Sequence, residues 1–171
     1  MAVILEMEFL MKLTEQQTAD LGVPQLVHSF KLGGIAGSSK LVLPSGSAAN
    51  KQNLVYSDSF SLAATPTTLD LAGTIASKLN GATLTFTNIR GFALRNTSTT
   101  TGENITVGGN ANGLVNWVTA VGDEIILGPS GLLVIHSPID GYDVTAGTGD
   151  ILEFDPGAAT ITAELAIWGI S

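Results

Sequence analysis

From Asn53 onward, short apolar runs recur between clusters of turn residues, and most are too short for a helix. The run Thr83–Ile89 shows the pattern most cleanly. Leu84, Phe86 and Asn88 fall on one side, and Thr83, Thr85 and Thr87 on the other. Threonine suits the wet face of such a strand because its branched Cβ fits the pleat. The same reading predicts strands at Val55–Leu62, Thr68–Leu71, Ile105–Gly108, Asp123–Leu127, Tyr142–Thr145, Ile151–Phe154 and Thr160–Ile170. Gly91–Asn96 is either a further strand or the continuation of Thr83–Ile89 through a bend. Leu132–His136 is apolar on both faces and is expected to be buried. Leu114–Val118 fits a strand or a single helical turn. This makes about nine short strands, with spacing that suits a sandwich or barrel.

No run of helical period and convincing length interrupts them, which excludes alternating strand–helix architecture. No repeat of fixed period appears, so a solenoid or propeller is not expected. The expected fold is all-β: an antiparallel β-sandwich, jelly-roll-like or Greek key, with an N-terminal arm.

The first third is less regular. Leu5, Phe9, Leu10 and Leu13 match one helical face, and the alternation Leu5-Glu6-Met7-Glu8-Phe9 matches a strand equally well. An extended arm at residues 1–20 is preferred because the rest of the chain is β. Gln25–Leu32 would put Leu26, His28, Phe30 and Leu32 on one strand face. Gly33–Asn50 is rich in Gly, Ser and Ala around the island Leu41-Val42-Leu43, and reads as a connection. The expected division is an arm at 1–20, a strand plus Gly/Ser-rich connection at 21–52, and a body at 53–171.

Composition narrows the setting. A chain of 171 residues suits one domain, and such a domain buries about 70% of its unfolded surface. With no cysteine, thiolate metal sites and cysteine nucleophiles are excluded. The net charge is -8 with only 7 Lys and Arg, which argues against binding a phosphate backbone or an anionic membrane surface. Charged residues make up 13%, against about 25% in ordinary domains. The exterior must then be largely Ser, Thr, Asn, Gly and Ala, a surface weakly protected against association. No apolar run reaches the roughly 18 residues of a membrane span. The apolar start Met1–Met11 carries Glu6 and Glu8, and its first lysine, Lys12, follows it. It reads as mature protein and not as a secretory signal.

Candidate chemistry is sparse. His28 and His136 are the only side chains with an ordinary pKa near neutrality. His136 precedes Ser137-Pro138, but no Gly-x-Ser-x-Gly elbow exists, so a strand-end histidine bonded to backbone or solvent is the plainer reading. Two histidines in unrelated segments do not make a zinc site. Asp140, Asp143 and Asp150 share a loop-rich stretch where a calcium ion would find oxygen ligands, although turn aspartates more often cap backbone. The pairs Gly33-Gly34 and Gly108-Gly109 open no helix and so form no phosphate cradle. Asn96-Thr97-Ser98 and Asn104-Ile105-Thr106 match glycosylation sequons. Trp117 and Trp168 are too few and too separated for an evident sugar platform, and are read as core or interface residues. No catalytic residue, cofactor or metal is assigned.

Several segments carry a resemblance. Val55–Gly73, Thr83–Phe86, Leu94–Thr97, Ile105–Gly109 and Gly141–Leu152 resemble a family of small tailed-bacteriophage proteins that look like virion structural components. The likeness covers roughly residues 50–170 and, more loosely, Asp20–Phe30. None of the matching positions is a chemical motif. The resemblance therefore implies a fold and a setting: a non-enzymatic capsid decoration (cement) protein on the virion surface. Its partners would be the major capsid protein and copies of itself, a trimer being suggested by three-fold junctions. The apolar N-terminus before Thr14 departs from the family, and loss of residues 1–13 is expected to weaken particle binding while leaving the body folded. A tail, neck or fibre component, a carbohydrate-binding module and a hydrolase are the rival expectations.

Overall fold

The computed structural model describes residues 9–16, 25–32, 46–76, 81, 83–120 and 122–171. The apolar start before Phe9, Gly33-Gly34, the island Leu41–Leu43 and Asn80 lie outside the described residues. Among the described residues there are thirteen strands and no helix.

β1 (Phe9–Gln16) and β2 (Gln25–Leu32) pair antiparallel, from Phe9 opposite Leu32 to Gln16 opposite Gln25. Residues 9–16 are therefore extended, which removes the helical alternative there.

Eight strands build the body: β3 (Leu54–Ala63), β4 (Thr67–Asp70), β7 (Asn88–Asn96), β8 (Ile105–Gly108), β9 (Glu124–Leu127), β10 (Leu132–His136), β12 (Ile151–Asp155) and β13 (Thr160–Ile170). Between them lie the short β5 (Ile75–Ala76) and β6 (Thr83–Leu84), which pair with each other, and β11 (Tyr142–Asp143), which pairs with β7. The eight form nested antiparallel pairs. The first meets the last (β3–β13), the second the seventh (β4–β12), the third the sixth (β7–β10), and the fourth the fifth (β8–β9). Alternate pairs go to alternate sheets, joined internally by β13–β7 and β12–β8. One sheet is ordered β10-β7-β13-β3 and the other β4-β12-β8-β9. A long hairpin wound into two sheets in this way is a jelly roll.

The alternation in the sequence sets the core. On β13, Ile161, Ala163, Leu165 and Ile167 point inward, opposite Leu62 and Tyr56 of β3 and Leu94 and Phe92 of β7. From the other sheet come Ile105, Val107, Leu127, Leu152 and Phe154, in the same apolar cluster. Phe60 and Phe154 bridge the sheets, with ring centroids 5.7 Å apart. Each fully buried Leu, Ile or Phe contributes about 1.5–3 kcal/mol, so this shared core holds the two sheets face to face.

Three expectations need correction. The strand expected over Thr83–Ile89 breaks at residues 85–87, where Phe86 N turns to Leu71 O (2.9 Å) and Thr87 N to Ile170 O (2.9 Å). The alternation survives the break, with Leu84, Phe86 and Asn88 buried and the three threonines exposed. The next strand is one piece from Asn88, carrying a bulge against Trp168/Gly169 in place of a bend at Gly91. Leu114–Val118 is neither strand nor helix; Leu114 N bonds Ile151 O at 2.8 Å, and Leu114 and Trp117 pack with the core. Leu132–His136 is not buried. It is an edge strand, with Leu133 and Ile135 packed on the core and Leu132 43% exposed.

Candidate functional site

A buried polar arrangement lies at the bulged end of β7 and the loop after β10. Trp168 ↔ Gly91 and Gly91 ↔ His136 are cross-strand partners, so the three residues form one row on the outer face of the sheet. Because Gly91 has no side chain, the Trp168 indole lies across it. A Cβ there would sit 2.5 Å from the ring. The indole N–H reaches β10 and donates to His136 Nδ1 at 3.2 Å. Trp168 is 5% exposed and packs with Ala93, Val55 and Val134.

His136 is thereby held neutral. An indole only donates, so Nδ1 must stay unprotonated. Burial lowers its pKa from the ordinary value, offset in part by the backbone carbonyl of Arg90. Its Nε2 is enclosed without a hydrogen-bond partner among the described residues. The neighbouring Ser137 uses its hydroxyl to accept from Gly141 N at 3.2 Å. His136 thus makes a structural contact with a tryptophan, and the described hydrogen bonds do not join it to a serine and a carboxylate. His28 lies in β2 opposite Leu13.

Arg90, which no sequence pattern singles out, is 5% exposed at the bulge. Its Nη1 donates to Ile139 O at 2.9 Å, and its Nε has no partner among the described residues. Beside it Asn88 donates to Asp140 O (3.1 Å) and to Asp143 Oδ1 (2.9 Å), tying the loop to β7. Gly141, at φ +69, leaves the space that Asn88 Oδ1 occupies.

The three candidate calcium ligands therefore divide. Asp140 and Asp143 gather around Asn88, whereas Asp150 caps a turn through Gly147 N at 2.6 Å. Among the described residues no group of three His, Asp or Glu stands close enough to hold a metal ion. Asp150 fits the turn-capping role, whereas Asp143 accepts from Asn88.

Both tryptophans have internal partners. Trp117 donates to Leu114 O at 2.8 Å and packs edge-on against Phe92, centroids 5.3 Å apart. Of the sequon asparagines, Asn96 is fully buried, donating to Glu103 O and Leu127 O; Asn104 is exposed. Gly108 and Gly109, with Trp117 and Asp123, line a cavity of about 10 Å³, roughly the room of one water.

Fold and polar groups together define the class: a jelly-roll β-sandwich whose polar clusters fasten loops to strands. Comparison with protein-family models, curated proteins and solved structures returns no match.

Proposed function

We propose that the chain is a virion structural protein, a capsid decoration protein of a tailed bacteriophage, which acts by contact and not by catalysis. The observation that carries this reading is a jelly-roll body with a thinly charged exterior. Charged residues are 13% of the chain, and the outer face of the β3–β13 pair presents Ser57, Ser59 and Ser61 beside Thr162 and Glu164, whose carboxylate pairs with Arg95 of β7. Covering such a face desolvates few charges, and its hydroxyls must find hydrogen-bond partners in the contact. Jelly rolls recur in viral capsid and lectin domains, which is support by fold analogy. The resemblance of residues 50–170 to phage structural proteins points the same way.

Apolar groups covered at the shell would each contribute about 1.5–3 kcal/mol before ordering costs, and repetition over many sites adds avidity. The sugar-binding alternative is less supported, because both indole N–H groups are engaged internally and Trp168 is buried.

Quantitative mass spectrometry of purified particles of the encoding virus tests the proposal. Copies comparable in number to capsomers, located on the shell, support decoration. A few copies confined to the tail or neck replace it with the tail reading, and absence from particles refutes both.

A further inference from the structure

Among the described residues nothing pairs with the outer edge of β10, and its phase is fixed by two hydrogen bonds that bracket the strand. Asn96 N donates to Gly131 O at 3.0 Å, and Ser137 N donates to Arg90 O at 2.9 Å. Antiparallel pairs alternate between bonded and non-bonded. With Leu132 opposite Arg95 and His136 opposite Gly91, Leu133 and Ile135 therefore bond to β7. The backbone N–H and C=O groups of Leu132, Val134 and His136 point away from the sheet.

This edge lacks the usual protections. It carries no lysine, no proline and no bulge, and its residues are Leu132, Leu133, Val134, Ile135 and His136. Natural edges of this kind are normally charged, twisted away or covered. Gly128–Gly131 before it and Ser137–Ile139 after it are also uncharged, in a chain of net charge -8.

We infer that β10 pairs with β10 of a second copy of this chain, antiparallel about a two-fold axis through Val134. This rests on the contact-based function proposed above and names one of its contacts. The free edge is self-complementary about that point. Val134 faces its own equivalent, and Leu132 faces His136 of the other copy, all with outward-pointing backbone groups. The pairing forms about six backbone hydrogen bonds and makes one continuous sheet across both copies. Two exposed apolar residues flank the strand, Leu132 (43%) near one end and Ile139 (61%) beyond the other. A two-fold axis brings the Leu132 end of one copy to the Ile139 end of its partner, whereas parallel pairing would leave unlike ends apart. An isologous contact closes as a dimer, so the solution unit is a dimer and not the trimer that capsid symmetry alone suggested.

Sedimentation equilibrium of the full chain from about 1 to 500 µM tests this by mass action. The mass should rise to that of two copies, and the Val134 amide should exchange more slowly as the dimer fills. Val134→Lys places a charge on the edge. Val134→Pro removes its outward N–H without costing a bond to β7. Each should weaken dimerisation by at least about tenfold while leaving circular dichroism unchanged. Should one variant fail to fold, the other carries the test. A monomer at every concentration, a three-copy mass, or a Val134→Lys protein that dimerises as well as the wild type would each overturn the inference. Particle binding is assayed separately. Binding by a monomeric wild type removes only the edge contact, and a dimer absent from particles removes only the shell reading.

Discussion

The indole N–H of Trp168 on β13 donates to His136 Nδ1 on β10 across an intervening strand, at 3.2 Å. The bond exists only for neutral His136, and burial already lowers that pKa. Below about pH 6.5 the unfolded chain takes up a proton that the folded chain resists. By linkage, stability is complete above this value and falls as pH drops below it. Urea denaturation between pH 5 and 7.5 should show the slope, and His136→Gln should flatten it. The difference between wild type and variant is the quantity to read, because contributions from other groups are common to both. An equal slope in both would place the effect elsewhere.

Gly91 makes that crossing possible. A methyl group there would press on the Trp168 ring and still more closely on Ile135 O. One obstacle is backbone and the other a packed indole, so β7 and β10 must part. Gly91→Ala is expected to destabilise by about 1–3 kcal/mol, lowering Tm by about 2–4 °C per kcal/mol in a domain of this size. A Tm within one degree of wild type would mean that the indole yields freely.

Asn96 is a second fastening. Its amide donates to Glu103 O (2.8 Å) and Leu127 O (3.2 Å), and its Oδ1 accepts from Ser98 N (3.0 Å). It is fully buried, so Asn96→Ala strands polar groups that water reaches poorly. About 2–5 kcal/mol should be lost, since each buried unpaired group costs about 1–3 kcal/mol. The expected readout is a lower urea midpoint at unchanged m, with faster exchange at the Ser98 amide.

These residues show what a sequence can and cannot reveal. Period-two alternation gave β3, β8, β12 and β13 almost to the residue, because inward apolar and outward polar positions are a local property. It gave the class of fold for the same reason. It did not give the nesting of the pairs, which depends on contacts such as Leu62 with Ile161 far along the chain. β10 was misjudged because an apolar residue reads alike whether it faces a core or an uncovered edge. Asn96 read as a sequon and Arg90 drew no reading at all, since local sequence does not report that either is buried. Asp140, Asp143 and Asp150 looked like one group because they are near in sequence; their hydrogen bonds divide them.

Tyr56 offers a test on the alkaline side. Its hydroxyl donates to Asp58 Oδ2 at 3.1 Å. Burial, then the hydrogen bond and negative charge of Asp58, push its pKa from 10.0 up to about 12. Burial also raises that of Tyr142. Here the folded value lies above the unfolded one, so the contribution is complete below pH 10 and is lost as pH climbs towards 12. Absorbance at about 295 nm, which follows phenolate formation, should show ionisation delayed well past pH 10, with the latest phase missing in Tyr56→Phe. That variant should also lose less stability than the wild type between pH 10 and 11. Ionisation of both tyrosines near pH 10 in the folded protein would mean that the Tyr56–Asp58 contact does not persist in solution.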